Sequence, residues 1–148
     1  MPIRLNDVGG AAQNASERTN TNMSSKEAPD TSGLQHIRLA DLGMDRINPL
    51  IDRQFVSGER TMLARLVLYK GAVVPQHSHE NEQITYVLDG ALKFHIDGRE
   101  IVIRSGEVLI IPSHMPHSAE ALEDTIDLDI FCPPRADWIN GTDAYLRK

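Results

Sequence analysis

From residue 55 onward, short apolar runs alternate with polar turn residues along the chain. The runs lie at 61–69, 84–88, 92–96, 101–104, 108–111 and 125–131. Between two of them, Asp97-Gly98 is the dipeptide typical of a two-residue β-hairpin turn. Many short strands at regular spacing, without a long amphipathic helix, predict an all-β barrel or sandwich.

The last apolar run carries two different sets of side chains. Ile126, Leu128 and Ile130 alternate with a set that mixes polar and aromatic residues. The second set is Thr125, Asp127, Asp129 and Phe131. Because successive side chains of a strand point to opposite faces of the sheet, the run predicts a strand with one apolar face and one mixed face.

The two ends of the chain depart from the strand pattern. Residues 1–33 are rich in Asn, Ser, Thr, Gly and Ala, with few large apolar side chains, which predicts a disordered tail. The pattern over 34–53 does not distinguish a helical turn from an edge strand. At the other end, Pro133-Pro134 ends strand pairing, and 136–139 predicts one short helical turn. We therefore predict a single domain over 34–148.

Length, charge and cysteine content narrow the classes of function. The 148 residues suffice for one domain with a hydrophobic core. A net charge of −6 and a pI near 5.4 argue against nucleic acid or an anionic membrane as a partner. No apolar stretch approaches the roughly 20 residues of a membrane span, and the N-terminus lacks the apolar core of a secretory signal. Cys132, the single cysteine, has no partner for an internal disulfide, so we expect a cytoplasmic protein. A free cysteine usually behaves as a small apolar residue, so we also expect Cys132 to be buried.

The stretch from 71 to 90, GAVVPQHSHENEQITYVLDG, holds the first candidate chemistry. On an extended strand His77 and His79 would point to the same face, and Gln83 follows after a polar interruption that can turn the chain back. A second stretch at 106–117, GEVLIIPSHMPH, supplies a further histidine. Zinc, iron, nickel and manganese all accept such nitrogen and oxygen donors, so we predict a metal site.

Both stretches follow spaced motifs of a known family. The first motif, G-x5-H-x-H-x3-E-x6-G, is met at Gly71, His77, His79 and Gly90, with Gln83 in the place of the usual glutamate. The second, G-x5-P-x-G-x2-H-x3-N, is met at Gly106, Pro112 and His117, with His114 and Ala121 in the places of glycine and asparagine. The chain therefore resembles the cupin superfamily, which implies a double-stranded β-helix, or jelly-roll barrel.

A narrower likeness points to one group of small cupins. HSHENEQITYVLDG and DLDIFCPPRADWI are similar to segments of the pectin-degradation group, whose members convert 4,5-unsaturated monouronates into their open-chain keto form. The likeness implies a small anionic substrate such as a uronate and a metal held by His77, His79, Gln83 and His117. It also implies active-site roles for Asp129, Phe131 and Arg135, through the group's D-x-F-x3-R signature. Because small cupins are commonly homodimers, it implies a homodimer as well.

Each candidate residue also has a purely structural interpretation. Asp129 would move a proton in the reaction, or would be satisfied by backbone donors or by Arg135. Arg135 would clamp a substrate carboxylate, or pair with Asp137 or Asp129. Phe131 would form a pocket wall or part of the core. Gln83 is neutral and cancels none of the charge of the metal, whereas glutamate would cancel one unit. The metal would therefore be a stronger Lewis acid and would attract an anion more strongly.

Three other functions also fit these residues. A cupin rich in histidine ligands also fits an iron-dependent dioxygenase. A lyase or cyclase acting on another small acid uses the same kind of metal centre. A cupin that binds a sugar or small acid without turnover needs no catalytic group at all.

Overall fold

The computed structural model describes residue 28 and residues 32–147. The chain divides into two units, Met1–Gln35 and His36–Lys148. The predicted disordered tail over 1–33 lies almost wholly outside the described residues, so both the disorder and the domain boundary at 34 stay predictions. In the first unit, residues 32 and 33 form a turn. All the strands that the structure describes lie in the second unit.

Ten strands of the described chain pair into two antiparallel sheets. The strands are β1 Asp45–Asn48, β2 Ile51–Ser57, β3 Met62–Leu68, β4 Val73–His77, β5 Glu82–Asp89, β6 Ala91–Ile96, β7 Arg99–Arg104, β8 Val108–Ile111, β9 His117–Ala121 and β10 Thr125–Cys132. One sheet has the order β1-β2-β3-β10-β5-β8, and the other has the order β4-β9-β6-β7. The two sheets enclose a hydrophobic core between them. The all-β jelly-roll prediction is confirmed.

The predicted runs coincide with strands to within two residues at each end, but two of the strands that shape the site do not show the expected pattern. β4 contains Pro75 and two polar side chains, and β9 reads HSAEA. Neither has the alternation of large apolar residues that identifies a strand in sequence. Both form because their backbones pair with neighbouring strands of the same sheet. β4 pairs with β9, with His77 opposite His117, and β9 also pairs with β6.

The Asp97-Gly98 turn is confirmed as a two-residue hairpin between β6 and β7. Asp97 has φ +51° and Gly98 has φ +70°, the left-handed pair that such a turn requires. Gly90 is constrained by space as well as by its φ of +92°. A Cβ atom there would lie 2.4 Å from Thr125 Oγ1, so the start of β10 passes directly over this glycine.

β10 lies in the middle of the six-stranded sheet, and its mixed face points inward. Thr125, Asp127, Asp129 and Phe131 are all buried, whereas Ile130 of the apolar set is 39% exposed. An outward apolar face on a central strand is the reverse of the usual arrangement, in which polar side chains meet water. The barrel interior therefore contains two carboxyl groups, those of Asp127 and Asp129, at positions where a strand usually has apolar side chains.

Cys132 ends β10 on the outward side and is exposed. The expectation that this cysteine is buried is wrong, because Phe131 takes the inward position and the next residue of a strand points the opposite way. No disulfide forms in the described chain, since this is its single cysteine.

The C-terminal segment packs against the barrel through a buried ion pair. The predicted helical turn is present as α1, Ala136–Ile139, and a 3-10 turn follows at Ala144–Leu146. Arg53 of β2 donates from Nη1 to Asp143 at 2.8 Å, with both side chains 1% exposed. The Arg53 guanidinium also lies 4.3 Å from the ring of Trp138, which is itself buried. No helix within the described part of the chain has the length and apolar character needed to cross a membrane.

Candidate functional site

Three histidine rings meet at one end of the barrel. His77 is the last residue of β4 and His117 the first of β9, with ring centroids 4.4 Å apart. His79 lies 5.1 Å from His117 and 5.5 Å from His77, centroid to centroid. One ring nitrogen from each lies within 4.8 Å of the others, which is close enough for one ion to bind all three.

The expectation that His77 and His79 share a strand is wrong. β4 ends at His77, so His79 belongs to the connection that leads into β5. The chain turns there because Asn81 is buried and donates from Nδ2 to the carbonyls of Pro133 and Pro134. His114 supports the same connection, because its backbone N–H donates to the His79 carbonyl at 2.7 Å. The rings converge by this packing rather than by strand periodicity.

Backbone carbonyls set the tautomer of all three rings. Each ring places Nδ1 within hydrogen-bonding distance of a carbonyl oxygen two residues away. The carbonyls belong to Pro75 for His77 (2.7 Å), Asn81 for His79 (3.0 Å) and Met115 for His117 (2.8 Å). Because a carbonyl oxygen only accepts, Nδ1 carries the hydrogen in each case. A neutral ring then has its lone pair on Nε2, the geometry typical of metal-binding histidine.

The rings are held in the neutral form by burial. Desolvation is the largest cause that lowers the pKa of His77 and of His79 to about 4, and it lowers the pKa of His117 as well. The positive charge of Arg135 pushes all three pKa values in the same direction. Near neutral pH the site therefore presents unprotonated nitrogen atoms, which is the form that binds a cation.

Gln83 joins this cluster from the inner face of β5, where it is buried. Its Oε1 lies 3.1 Å from His79 Nε2. Its Nε2 donates to Thr85 Oγ1 at 2.9 Å and to Asp129 Oδ1 at 3.3 Å. These two donations orient the amide, so that the oxygen and not the nitrogen points at the histidine cluster. Gln83 thus links the three rings to the carboxyl of Asp129.

Asp129 is a buried carboxyl with side-chain partners only. Thr85 donates to its Oδ1 at 2.5 Å, and Gln83 donates to the same atom. Burial, the largest cause, raises the pKa of Asp129 to about 6, although Thr85, Arg135 and Gln83 each pull it down. Neither of the structural alternatives, backbone donors or an ion pair with Arg135, occurs. A carboxyl with this pKa exchanges protons readily near neutral pH.

Thr85 was not identified from the sequence, although a signal for it was available. It follows Gln83 by two residues on β5 and so shares the inner face. Tyr145, the other contributor, has no such signal. Its ring lies 5.2 Å from His77, and it accepts a hydrogen bond from Arg135 Nη2. It reaches the site from the C-terminal segment, ten residues beyond Arg135 and outside both motifs.

Arg135 is buried and already paired. Nε and Nη2 donate to the two carboxylate oxygens of Asp137, at 2.9 and 2.8 Å. Its guanidinium carbon lies 5.0 Å from the centre of the Phe131 ring, which in turn meets His79 edge to face at 5.7 Å. Phe131 is 1% exposed, so it is a core residue that also lines the cavity beneath the histidines.

An internal cavity of about 50 Å³ extends from this cluster into the barrel. Polar groups line its outer end and mainly aliphatic or aromatic side chains line the remainder. The polar lining residues are His77, Gln83, His117, Asp127, Asp129 and Arg135. Outside the cluster, a surface cleft leads to His77, His79 and Tyr145. The site is therefore reachable from solvent at the histidine end, through this cleft.

The remaining candidates lie apart from the cluster. Glu80 and Glu82 are exposed, as expected for solvated turn charges. His36 and His114 are exposed as well, and the His95 ring faces Glu100 at 3.9 Å on the surface. His114 has φ +65°, so it adopts the backbone conformation for which glycine is common at this position of the motif.

Comparisons with known proteins agree with this architecture. Residues 64–132 match the family model for the cupin domain. Pectin degradation protein KdgF of Dickeya dadantii is 31% identical over 72 residues, which cover 47% of this chain and 66% of that protein. The oxalate-binding protein of Thermotoga maritima is 32% identical over 77 residues, which cover 51% of this chain and 64% of that protein. The matched segment thus spans just under two thirds of the length of each relative.

A solved structure is similar to this chain over a longer segment than either sequence comparison covers. The structure of KdgF from Halomonas sp. superposes with a TM-score of 0.64 at 30% sequence identity. The superposition covers 67% of this chain and 93% of that one. The likeness therefore includes nearly the whole of the Halomonas protein.

Proposed function

We propose that this chain, which belongs to the cupin domain family, binds a divalent metal ion and isomerises a 4,5-unsaturated monouronate or a similar enol sugar acid. His77, His79, Gln83 and His117 would hold the ion. Asp129, Arg135 and Phe131 would act on the substrate. The similarity to the two KdgF proteins supports the choice of substrate class.

One contact carries the metal proposal. His79 Nε2 and Gln83 Oε1 lie 3.1 Å apart, and each presents a lone pair to the other. Nε2 has no hydrogen, because the hydrogen of this ring is on Nδ1, which donates to the Asn81 carbonyl. Two acceptors at this distance repel unless a cation lies beside both. His117 Nε2 is buried without a hydrogen-bond partner, which fits the same cation.

The donor set fits several ions. Three neutral imidazoles and one amide oxygen suit zinc, nickel, iron or manganese. When bound, the ion would polarise the carboxylate and the ring oxygen of the sugar acid. Because none of the four ligands carries a charge, the site would keep the full charge of the ion and attract an anion.

Asp129 would move the proton. Ring opening breaks the bond between C1 and the ring oxygen and takes the proton from the C1 hydroxyl, leaving an aldehyde and an enol. Ketonisation then moves a proton from the enol oxygen to C4, so no atom is gained or lost. A carboxyl with a pKa of about 6 accepts and returns a proton in such steps. Thr85 and Gln83 hold this carboxyl in place throughout.

Arg135 would hold the substrate carboxylate. Asp137 occupies the Nε and Nη2 side of the guanidinium, so the carboxylate would approach the Nη1 side. Phe131 and Tyr145 restrict the position of Arg135 from the two other directions. A fixed guanidinium binds a carboxylate with little loss of side-chain entropy.

Chelation provides the direct test. Purified protein is mixed with the unsaturated monouronate from an exhaustive lyase digest, and the ultraviolet absorbance of the conjugated enol acid is followed. We expect the absorbance to fall faster with protein, by at least about 10²-fold in the initial rate, and the acceleration to disappear after chelation. Readdition of metal should restore it. No acceleration by protein with bound metal would contradict the isomerase, and oxygen uptake in its place would support the dioxygenase.

We further propose that the homodimer forms through the outer face of the six-stranded sheet. Large apolar side chains are exposed there on three neighbouring strands, β10, β5 and β8. They are Tyr86 (38%), Leu88 (40%), Val108 (52%), Ile110 (60%) and Ile130 (39%). A second copy of this face is a suitable partner, because a two-fold axis places one apolar patch against its equal.

Substitution of Ile110 by lysine tests this interface. We expect the wild type to behave as a dimer in light scattering at micromolar concentration and Ile110→Lys to behave as a monomer, because a charge in the patch loses its hydration on association. Val102→Lys, at an exposed position of the other sheet, serves as the matched control and should leave the dimer intact. A wild-type monomer, or a dimer unaffected by Ile110→Lys, would reject this interface.

A further inference from the structure

Asp127 is a buried carboxyl whose Oδ1 has no hydrogen-bond partner among the described residues. It lies on the inner face of β10, is 3% exposed, and its Oδ1 accepts no hydrogen bond. Thr125 and Asp129, the neighbouring polar residues on the same face, both have hydrogen-bond partners. Thr125 Oγ1 is bonded to the backbone of Ala91, and Asp129 accepts from Thr85. Among the inward polar side chains of this strand, only Asp127 has a buried oxygen that no described residue satisfies.

The unsatisfied Oδ1 atom of Asp127 destabilises the folded state. A polar atom removed from water without a replacement hydrogen bond lowers the free energy of unfolding. Apolar side chains that would suit this position already surround it, including Leu66, Leu92 and Phe94 of the same cavity. Burial accordingly raises the pKa of the Asp127 carboxyl well above its ordinary value, and the charge of Asp129 adds to this. Stability alone would favour an apolar residue here.

The position of Asp127 relates it to the proposed active site. It lines the same internal cavity as His77, His117 and Asp129. It lies farther from the histidine cluster, because it pairs with Val87 of β5, whereas Asp129 pairs with Thr85, nearer to Gln83. Asp129 is two residues nearer along the strand, which is about 6.8 Å at the usual rise of an antiparallel strand. That separation is comparable with the length of a hexuronate. A substrate whose carboxylate end lies beside Asp129 would therefore reach Asp127 with its other end.

We propose that Asp127 hydrogen-bonds a hydroxyl group at the end of the sugar acid remote from its carboxylate, and thereby selects polyhydroxy acids. The inference rests on the proposed function, since that function places the substrate carboxylate beside Arg135 and the histidines. A hydroxyl both donates and accepts, so it matches a carboxyl in either protonation state. A second carboxylate would lose its hydration among the apolar walls, and a two-carbon acid such as oxalate would not reach this depth.

The experiment compares two ligands and three variants. The metal-loaded protein is titrated with galacturonate and with cyclohexanecarboxylate, a ring acid without hydroxyls, and ligand binding is measured by calorimetry. We expect the wild type to prefer galacturonate, and Asp127→Leu to lose about 10-fold or more of that preference, as for a buried hydrogen bond. Asp127→Asn should keep part of it, because an amide still bonds a hydroxyl. Thr125→Val, on the same face of β10, should leave the preference unchanged.

A second readout needs neither metal nor ligand. The thermal midpoint of the metal-free Asp127→Leu protein should rise by about 4 °C or more, because the unsatisfied carboxyl has been removed. Thr125→Val should lower the midpoint, since it breaks hydrogen bonds to Ala91. Equal affinity of the wild type for the two ligands, or an unchanged preference in Asp127→Leu, would overturn the inference. If the preference behaves as expected but no uronate is turned over, only the isomerase proposal fails.

Discussion

Asp129→Asn is expected to lower turnover of the unsaturated uronate by about 10²–10⁴-fold, the range for loss of a general acid–base group. The amide does not exchange a proton near neutral pH, whereas the carboxyl, with its pKa raised to about 6, does. The change should leave the fold intact. The amide oxygen still accepts from Thr85 and Gln83 in the place of the carboxyl Oδ1.

Two measurements separate a proton-transfer role from a structural one. Initial rates come from the ultraviolet absorbance of the enol acid, and the metal content of the same samples comes from elemental analysis. Asp129→Asn should retain its metal, whereas His117→Ala should lose both metal and turnover. Asp89→Asn, the same change at the exposed end of β5, is the matched control and should resemble the wild type. Turnover in Asp129→Asn equal to that of the wild type would remove this residue from the mechanism.

Arg53→Met is expected to lower the free energy of unfolding by about 3 kcal/mol, the low end of the range for breaking a buried ion pair. The change leaves the carboxylate of Asp143 buried, with only the longer contact from Arg147 Nε at 3.4 Å. It also removes the guanidinium from the face of Trp138, where it lies 4.3 Å from the ring. Urea unfolding monitored by tryptophan fluorescence measures the effect, since Trp138 is the single tryptophan.

A double-mutant cycle identifies the ion pair as the cause. Asp143→Leu alone should also destabilise, because it leaves the buried Arg53 charge with only the partly exposed carboxylate of Asp45 as a partner, at 3.0 Å. The pair Arg53→Met with Asp143→Leu should be less destabilised than the sum of the single changes, since neither charge is then left unpaired. Arg46→Met provides the control, because Arg46 pairs with Asp52 at 2.9 Å but is 63% exposed, and its removal should change stability little. Strict additivity of the two buried changes would rule out the ion pair as the source of stabilisation.

The fold was predictable because its central strands have a simple pattern. The run at 125–131 and the Asp97-Gly98 hairpin were located from local sequence, since a half-buried strand alternates and a tight turn demands particular residues. β4 and β9 were missed although both supply histidines to the cluster. Their side chains are mostly polar or small, and their strand conformation comes from pairing with neighbouring strands of the same sheet.

The candidate site was only partly predictable for a related reason. The spacing of His77, His79 and His117 identified the donors, but the reason given for the first two was wrong, because His79 lies beyond the end of β4. Tyr145 and Thr85 were not identified at all. Tyr145 reaches the site through the packing of a separate segment, which a single sequence does not reveal, whereas the position of Thr85 two residues after Gln83 was a signal that was not used.

By itself, the sequence determined the all-β class, the positions of six strands and the chemical types of the donors, because each of these follows from local residue order. Only the tertiary structure decided which face of β10 enters the barrel, which ring nitrogens carry hydrogens, and how strongly burial shifts the carboxyl and imidazole pKa values. These properties depend on the carbonyls, cations and apolar walls that surround each group. The same strand with its faces exchanged would place isoleucines in the cavity and both aspartates in water.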